Sequence, residues 1–154
     1  MTRLITAFAV AASLVSAARA EVTLEKTAGG VSVKIDGQPF TEYLVKSKSK
    51  PILWPLVGPG GKRVTRNWPM EEGVPGETDR DHPHQRSLWF THGDVNGVDF
   101  WSEGKGRIEH REFAKIESGP EAVIVTRNDW LSPDGSKLIC QDERTLRFGG
   151  TVDR

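Results

Sequence analysis

Short runs of β-branched and aromatic residues, separated by glycine and proline, recur along the chain after its first twenty residues. Apolar and polar positions alternate over residues 22–25 and 31–35, which is typical of strands with one buried face. Between such runs, Asp36-Gly37 predicts a tight hairpin turn. Helix signals are nearly absent. With 16 glycines and 9 prolines as punctuation, the pattern predicts an all-β domain, arranged as an antiparallel β-sandwich. Further strands are predicted over 39–45, 87–92, 98–102, 107–116, 122–130 and 137–148.

Two segments between these strands are set apart by proline. Pro51 and Pro55 confine the apolar run 51–57 to an edge strand or a loop, because proline cannot donate to a sheet ladder. Residues 67–81 combine proline and glycine with five acidic side chains. This pattern predicts a long acidic loop, and loops of that length are often functional.

The first twenty residues have the features of a secretory signal peptide. Arg3 precedes a short apolar run, and Ala18-Arg19-Ala20 forms a small-residue cleavage site. The run is too short to span a membrane, which favours cleavage over a retained anchor. We therefore expect residues 1–20 to be removed, and residues 21–154 to form a periplasmic or extracellular β-sandwich domain.

The C-terminal end predicts a truncated domain. Residues 145–148 read as a strand that has just begun, and no terminal cap follows it. We therefore expect the sandwich to be incomplete at its C-terminus, with exposed sheet edges and poor solubility.

Charge excludes two classes of partner. The chain has 21 basic and 21 acidic residues, and the signal peptide holds two of the basic ones. The mature chain therefore has no electrostatic reason to bind nucleic acid or an anionic membrane, and no later apolar run reaches spanning length. The single cysteine, Cys140, is expected to be a small buried hydrophobe.

The segment 81–90, DHPHQRSLWF, is the strongest candidate for chemistry, since all four histidines lie between residues 82 and 110. In an extended strand His82 and His84 point to one face, and Pro83 favours an extended residue before it.

Three interpretations of this segment stay open. In the first, His82 and His84 bind a divalent transition metal with His92, Asp81 or Glu77. In the second, Asp81 or Glu77 orients one imidazole as a general base, and Arg86 stabilises negative charge on the substrate. In the third, Asp81 pairs with Arg86 and the histidines are structural.

Two aromatic pairs, Trp89-Phe90 and Phe100-Trp101, predict a binding surface. Alternation along a strand sends one member of each pair inward and one outward. An outward tryptophan near the histidines would form a platform for a sugar ring. Asn96-Gly97 favours a hairpin turn, and Asn96 joins Trp89 and Trp101 as a candidate substrate contact. By contrast, His110 and the group Asp142, Glu143 and Arg144 are expected on solvated strand faces.

Three ordered motifs carry a family resemblance: RVTRNWPM at 63–70, DHPHQRSLWF at 81–90 and VNGVDFW at 95–101. They resemble the secreted bacterial proteins labelled "PmoA family" or "methane oxygenase PmoA", common in planctomycetes and Bacteroidetes. The usual pattern is D-H-P-H-H-R-G-L-W followed by V-N-G-x-D-F-W, from which this chain departs at Gln85 and Ser87. The resemblance covers about residues 45–148. It implies a soluble β-sandwich about twice this length, often encoded near sugar-catabolism genes, with no settled activity.

These observations predict a secreted carbohydrate-active protein that acts on a sugar or glycoside by hydrolysis, elimination or epimerisation. His84 is the expected base or ligand, His82 its partner, Arg86 the substrate anchor and Trp89 the stacking ring. One alternative is a metal-dependent oxygenase with His82, His84 and His92 as ligands. The other is a carbohydrate-binding module that uses the aromatic residues alone.

Overall fold

The computed structural model describes residues 19–150, so residues 1–18 of the predicted signal peptide lie outside the described residues. The described chain is built from strands, with one 3-10 turn at Pro59–Gly61. It has no helix long and apolar enough to cross a membrane. The strands are β1 (Val22–Lys26), β2 (Gly30–Ile35), β3 (Gln38–Ser47), β4 (Lys50–Leu53), β5 (Leu88–Trp89), β6 (Arg107–Glu117), β7 (Glu121–Leu131) and β8 (Leu138–Gly149).

The strands form two antiparallel sheets whose spatial order follows the order of the chain. The five-stranded sheet runs β1-β2-β3-β4-β5, and the three-stranded sheet runs β6-β7-β8. Alternating burial along β2 and β7 places one face of each sheet inward. The predicted hairpin is confirmed, because Asp36 and Gly37 both have positive φ and β2 pairs with β3 across them.

A hydrophobic core between the sheets holds the sandwich together. Val22, Val33 and Tyr43 of the five-stranded sheet are buried together with Ile124 and Phe148 of the three-stranded sheet. Burial of large apolar side chains from both sheets is the main stabilising term for such a fold. The predicted all-β sandwich is thereby confirmed.

The sheets are also joined at the β1 edge. Val22 and Gly119 exchange two backbone hydrogen bonds, of 3.2 and 2.9 Å. The backbone N–H of Leu24 donates to the Ser118 hydroxyl at 2.9 Å. The turn between β6 and β7 therefore closes one side of the sandwich.

Three of the predicted elements differ from the structure. The strand predicted over 87–92 is confined to Leu88–Trp89. Residues 98–102 form a turn rather than a strand, because the Asp99 carboxylate accepts the backbone N–H groups of Trp101 and Ser102. The apolar run 51–57 was expected at an edge or in a loop. Residues 54–57 do lie outside the named strands, but residues 51–53 belong to β4, which is paired on both sides, with β3 and β5. Pro51 is tolerated because it falls where the register between β3 and β4 shifts.

Candidate functional site

Four aromatic rings form a continuous row beside the short edge strand β5. The ring centroids of His82 and His84 are 5.7 Å apart, those of His84 and Trp101 are 5.9 Å apart, and those of Trp101 and Trp89 are 4.7 Å apart. Trp101 is 44% exposed, which makes it the accessible tryptophan of the row. An open groove of about 360 Å³ borders Trp89 and Trp101. We call these four side chains the aromatic row.

The two histidines reach the row through a turn and not through an extended strand. His82 has a φ of 48°, and its carbonyl accepts the backbone N–H of Gln85 at 2.9 Å. The expected extended conformation around Pro83 is therefore wrong. The expectation that the two imidazoles lie together holds for a different reason, because the turn brings one ring against the other.

Asp81 orients the His82 imidazole. Nδ1 of His82 lies 2.7 Å from the Asp81 carboxylate, which also accepts a hydrogen bond from Arg66 at 3.0 Å. The hydrogen bonds from His82 and Arg66 lower the pKa of the Asp81 carboxyl. An ionised Asp81 carboxylate can only accept a hydrogen bond, so Nδ1–H of His82 donates to it and Nε2 of the ring is left as the acceptor. Glu77, the other expected partner, instead accepts the backbone N–H groups of Asn67 and Trp68.

Arg86 was expected to anchor the substrate, but it is bonded to other side chains of the protein. Its Nε donates to Glu103 at 2.8 Å and its Nη1 to the Ser47 hydroxyl at 3.3 Å. The Arg86 side chain is 12% exposed and that of Glu103 is 19% exposed. The pair therefore fastens the turn that carries Trp101 to the five-stranded sheet.

Lys50, which the sequence analysis missed, lies beneath the row. It is 1% exposed, and its Nζ donates to the carbonyls of Phe100 at 2.8 Å and Trp101 at 3.0 Å. The same Nζ lies 4.4 Å from the centroid of a Trp89 ring, a cation–π distance. Burial lowers the pKa of Lys50 to about 8. The only hint in the sequence is that Lys50 directly precedes an apolar run.

Asp99 completes the support of the Trp101 turn. Its carboxylate accepts the backbone N–H groups of Trp101 at 2.7 Å and Ser102 at 3.1 Å. Hydrogen bonds from Ser102 and Trp101 lower the pKa of the Asp99 carboxyl. The Asp99 carboxylate, Lys50 and the Arg86–Glu103 pair thus hold residues 99–103 in place together.

Asn96 and His92 are engaged in local turns. Asn96 has a φ of 52° and lies in a hairpin that Val95 and Val98 close with two backbone hydrogen bonds. Nδ1 of His92 lies 3.1 Å from the backbone nitrogen of Asp94. Among residues 19–150, no group of three histidine, cysteine or acidic side chains is placed to hold a metal ion. His82, His84 and His92 therefore do not form a ligand set in this structure.

Polar side chains also occupy the inward face of the three-stranded sheet, where the sequence analysis expected solvent. His110 contacts the Thr126 hydroxyl at 2.7 Å, and burial lowers the pKa of His110. Asp142 accepts hydrogen bonds from Asn128 at 2.7 Å and Arg144 at 2.6 Å. The expectation of a solvated face is wrong for His110, Asp142 and Arg144. We call the five side chains of this group the polar ladder: His110, Thr126, Asn128, Asp142 and Arg144.

Glu143, in contrast, points outward and pairs with Arg127 at 2.9 Å, as expected for a solvated face. Strand parity could have separated the two cases. Residues 142 and 144 share parity with the apolar positions Leu146 and Phe148, and His110 shares parity with Ile108.

Comparison with known proteins places the chain in a family. No curated protein and no solved structure matches it. One family model, described as a family of unknown function (DUF6807), matches residues 30–154, which include the aromatic row and its supports. The chain therefore belongs to the DUF6807 family.

Proposed function

We propose that this chain is a secreted carbohydrate-active protein that binds a sugar along the aromatic row and transfers a proton through His82. The observation that carries this proposal is the continuity of the row with the Asp81–His82 pair. One end of the row offers apolar ring faces, and the other end offers an oriented imidazole.

Sugar binding is supported by the exposure and support of Trp101. The C–H face of a pyranose is apolar and stacks on a flat aromatic ring. Trp101 is partly exposed, and its backbone is fixed by Lys50 and Asp99. A rigid ring loses little entropy when it binds a ligand, which favours affinity.

Proton transfer is supported by the environment of His82. The Asp81 carboxylate holds Nδ1, and the His82 side chain is 55% exposed, so a substrate can approach Nε2. A base oriented in this way serves hydrolysis, elimination or epimerisation equally well. This assignment makes His82 the base, whereas the sequence alone favoured His84.

A non-catalytic carbohydrate-binding module is the second candidate. This candidate is favoured by the Arg86–Glu103 pair. Because Arg86 is bonded to Glu103 and largely buried, it does not offer the row the cation that was expected to anchor a substrate. A metal-dependent oxygenase gains no comparable support, because the described residues do not bring three ligands together.

The proposal is tested with the purified chain on a panel of glycans and keto-sugars, with and without chelator. We expect His82→Ala to lower turnover by about 100-fold or more, and Trp101→Ala to weaken sugar binding about tenfold. His92→Ala is the matched control, because His92 bonds to the Asp94 backbone, and it should retain both.

The panel separates the alternatives. Turnover that survives chelator but is lost in His82→Ala supports the proposal. Binding without turnover, unchanged in His82→Ala, supports the binding module. Activity that chelator removes and copper or iron restores, with consumption of oxygen, would overturn the proposal in favour of the oxygenase.

A further inference from the structure

Arg66 makes three hydrogen bonds to the turn that carries His82. Its Nη1 donates to the Asp81 carboxylate at 3.0 Å, and its Nη2 donates to the backbone carbonyls of Asp81 at 2.8 Å and His82 at 2.7 Å. A guanidinium presents its N–H groups in a fixed planar fork. One side chain therefore holds the Asp81 carboxylate in a defined place relative to the backbone of residues 81 and 82.

The conformation of His82 makes this support necessary. His82 has a φ of 48°, in the left-handed region that a non-glycine residue adopts only at a cost in free energy. Its side chain is 55% exposed and that of Asp81 is 60% exposed, so packing contributes little to holding either one. The hydrogen bonds to the His82 carbonyl, from Arg66 at 2.7 Å and from the Gln85 N–H at 2.9 Å, stabilise the turn instead.

Arg66 is itself anchored through the residues on both sides of it. The Thr65 hydroxyl lies 3.0 Å from the hydroxyl of Ser87, the residue directly before β5. The backbone N–H of Asn67 donates to the Glu77 carboxylate at 2.7 Å. The long loop over residues 67–81 therefore holds Arg66 at its start and presents the Asp81–His82 pair at its end.

We propose that Arg66 is a positioning residue, which holds Asp81 against His82 so that Nε2 of the imidazole is the proton acceptor. The inference rests on the proposed function, in which His82 is the base, and it gives the loop over residues 67–81 a role in that function. Arg66 acts through Asp81 and the turn, without a contact to the sugar.

The two oxygens of Asp81 divide the work between the two partners. Oδ1 accepts from Arg66, while Oδ2 lies 2.7 Å from Nδ1 of His82. Because an ionised carboxylate only accepts hydrogen bonds, this contact favours the tautomer of His82 with its proton on Nδ1. Without Arg66, the exposed carboxylate is free to rotate towards water, and the preference for this tautomer is lost.

The test is nuclear magnetic resonance of chains labelled with ¹⁵N at histidine, at about pH 8, where an ordinary imidazole is neutral. The nitrogen shifts distinguish the two tautomers, and His82→Ala identifies the His82 signals by their loss. We expect the Nδ1–H form to predominate in the unmodified chain and the Nε2–H form to gain in Arg66→Gln. Asp81→Asn gives the reference for a full reversal, because its amide can donate to Nδ1.

Arg80→Gln is the matched control. The guanidinium of Arg80 lies 5.8 Å from the centroid of a Trp68 ring, as that of Arg66 does at 5.2 Å, but Arg80 donates to the carbonyls of Glu77 and Asp79. Its loss should leave the tautomer of His82 unchanged. An unchanged tautomer in Arg66→Gln, or an equal shift in Arg80→Gln, would overturn the inference.

Arg66→Lys separates positioning from a general loss of stability. Lysine keeps the charge, but its single ammonium cannot reproduce the planar fork, so we expect a partial shift towards the Nε2–H form. If Arg66→Gln does not fold, this variant decides: a partial shift supports the inference, and a tautomer population equal to that of the unmodified chain overturns it.

Activity on the glycan and keto-sugar panel gives the second measurement. Arg66→Gln should lower kcat about tenfold and change KM less than about twofold, because it disturbs the base and leaves the Trp101 ring in place. A shifted tautomer with an unchanged kcat would count against the inference.

The tautomer is measured without any substrate, so failure of this inference differs from failure of the proposed function. If turnover depends on His82 while Arg66→Gln alters neither the tautomer nor kcat, the role of Arg66 is wrong and the proposed function stands. If Arg66→Gln shifts the tautomer but the unmodified chain turns over no sugar, Arg66 does orient the imidazole and the proposed function fails.

Discussion

Lys50 is a fully buried cation whose three partners all belong to the support of the aromatic row. Two are backbone carbonyls, of Phe100 and Trp101, and the third is the Trp89 ring. Glu103, Asp99 and Arg86 are the charged groups that act on it. Burial of a charge costs free energy even when it is well paired. This free-energy cost falls on Lys50, the residue that contacts both tryptophans of the row.

We predict that this cost makes stability depend on pH. The pKa of Lys50 falls from its ordinary value of 10.5 to about 8 in the folded chain. Between these values the unfolded chain binds more protons, so the free energy of unfolding rises with pH, by at most about 1.4 kcal/mol per unit. Chemical denaturation from about pH 8 to about pH 9.5 should show this rise relative to Lys50→Met, because burial raises the pKa of Cys140 and gives a contribution of opposite sign that both proteins share.

Two variants test whether Lys50 causes this rise in the free energy of unfolding with pH. Lys50→Met should lack it, whereas Lys46→Met, which changes an exposed lysine of β3, should keep it. The range stays below pH 10 because burial raises the pKa of Tyr43. The folded chain therefore retains a proton above that pH, and stability then falls as pH rises. A rise that persists in Lys50→Met would contradict the prediction.

At the scale of elements, the Trp101 turn depends on side chains from elsewhere in the chain. Residues 99–103 pair with no strand, and β5 pairs with β4 through two residues. The Arg86–Glu103 pair therefore replaces the ladder of hydrogen bonds that a longer strand would supply. The pair has a structural role in stabilising this turn, whereas the sequence predicted that Arg86 contacts the substrate.

A double-mutant cycle separates these two roles for Arg86. Glu103→Gln leaves a largely buried guanidinium unpaired and should lower the free energy of unfolding by about 3 kcal/mol. Adding Arg86→Met should recover much of that loss, because no uncompensated charge then remains. Glu109→Gln, in the exposed Arg107–Glu109 pair, should cost less than about 1 kcal/mol. Additive effects in the cycle would contradict the structural role.

The sequence predicts strands well where apolar alternation and turn residues agree. The β2–β3 hairpin follows directly from alternation and Asp36-Gly37. The same reasoning wrongly predicts a strand over residues 98–102. Their composition is typical of a strand, but the Asp99 carboxylate binds the backbone N–H groups of Trp101 and Ser102 and stabilises a turn instead. Lys50 escapes prediction because lysine is almost always exposed, and only tertiary contacts identify a buried one.

At the scale of the whole molecule, β1 both borders the five-stranded sheet and joins it to the three-stranded sheet. The backbone nitrogen of Glu21, just before β1, lies 2.9 Å from the Asp36 carboxylate. If the signal peptide is cleaved after Ala20, this nitrogen becomes a charged ammonium next to Asp36. That ion pair would offset the loss of the hydrogen bond from Ala20 to the Gly150 carbonyl.

We therefore predict that the exported protein begins at Glu21. Intact-mass spectrometry of the protein from the periplasm or medium should give the mass of residues 21–154. Asp36→Asn, which removes the partner of the new ammonium, should leave the cleavage site unchanged and lower the melting temperature slightly. Recovery of exported chains that still start at Met1 would refute the prediction.

The chain-order pairing of strands also has a kinetic consequence. Strands β1 to β4 form by successive short hairpins, as do β6 to β8, and such local pairing is fast. Strand β5 joins β4 only after residues 54–87 have been closed into a loop, and the entropy lost in that closure grows with loop length. The aromatic row, which needs β5 and the Trp101 turn together, is therefore expected to form after the local hairpins. A chain in which only the hairpins of β1 to β4 and of β6 to β8 had formed would lack the aromatic row.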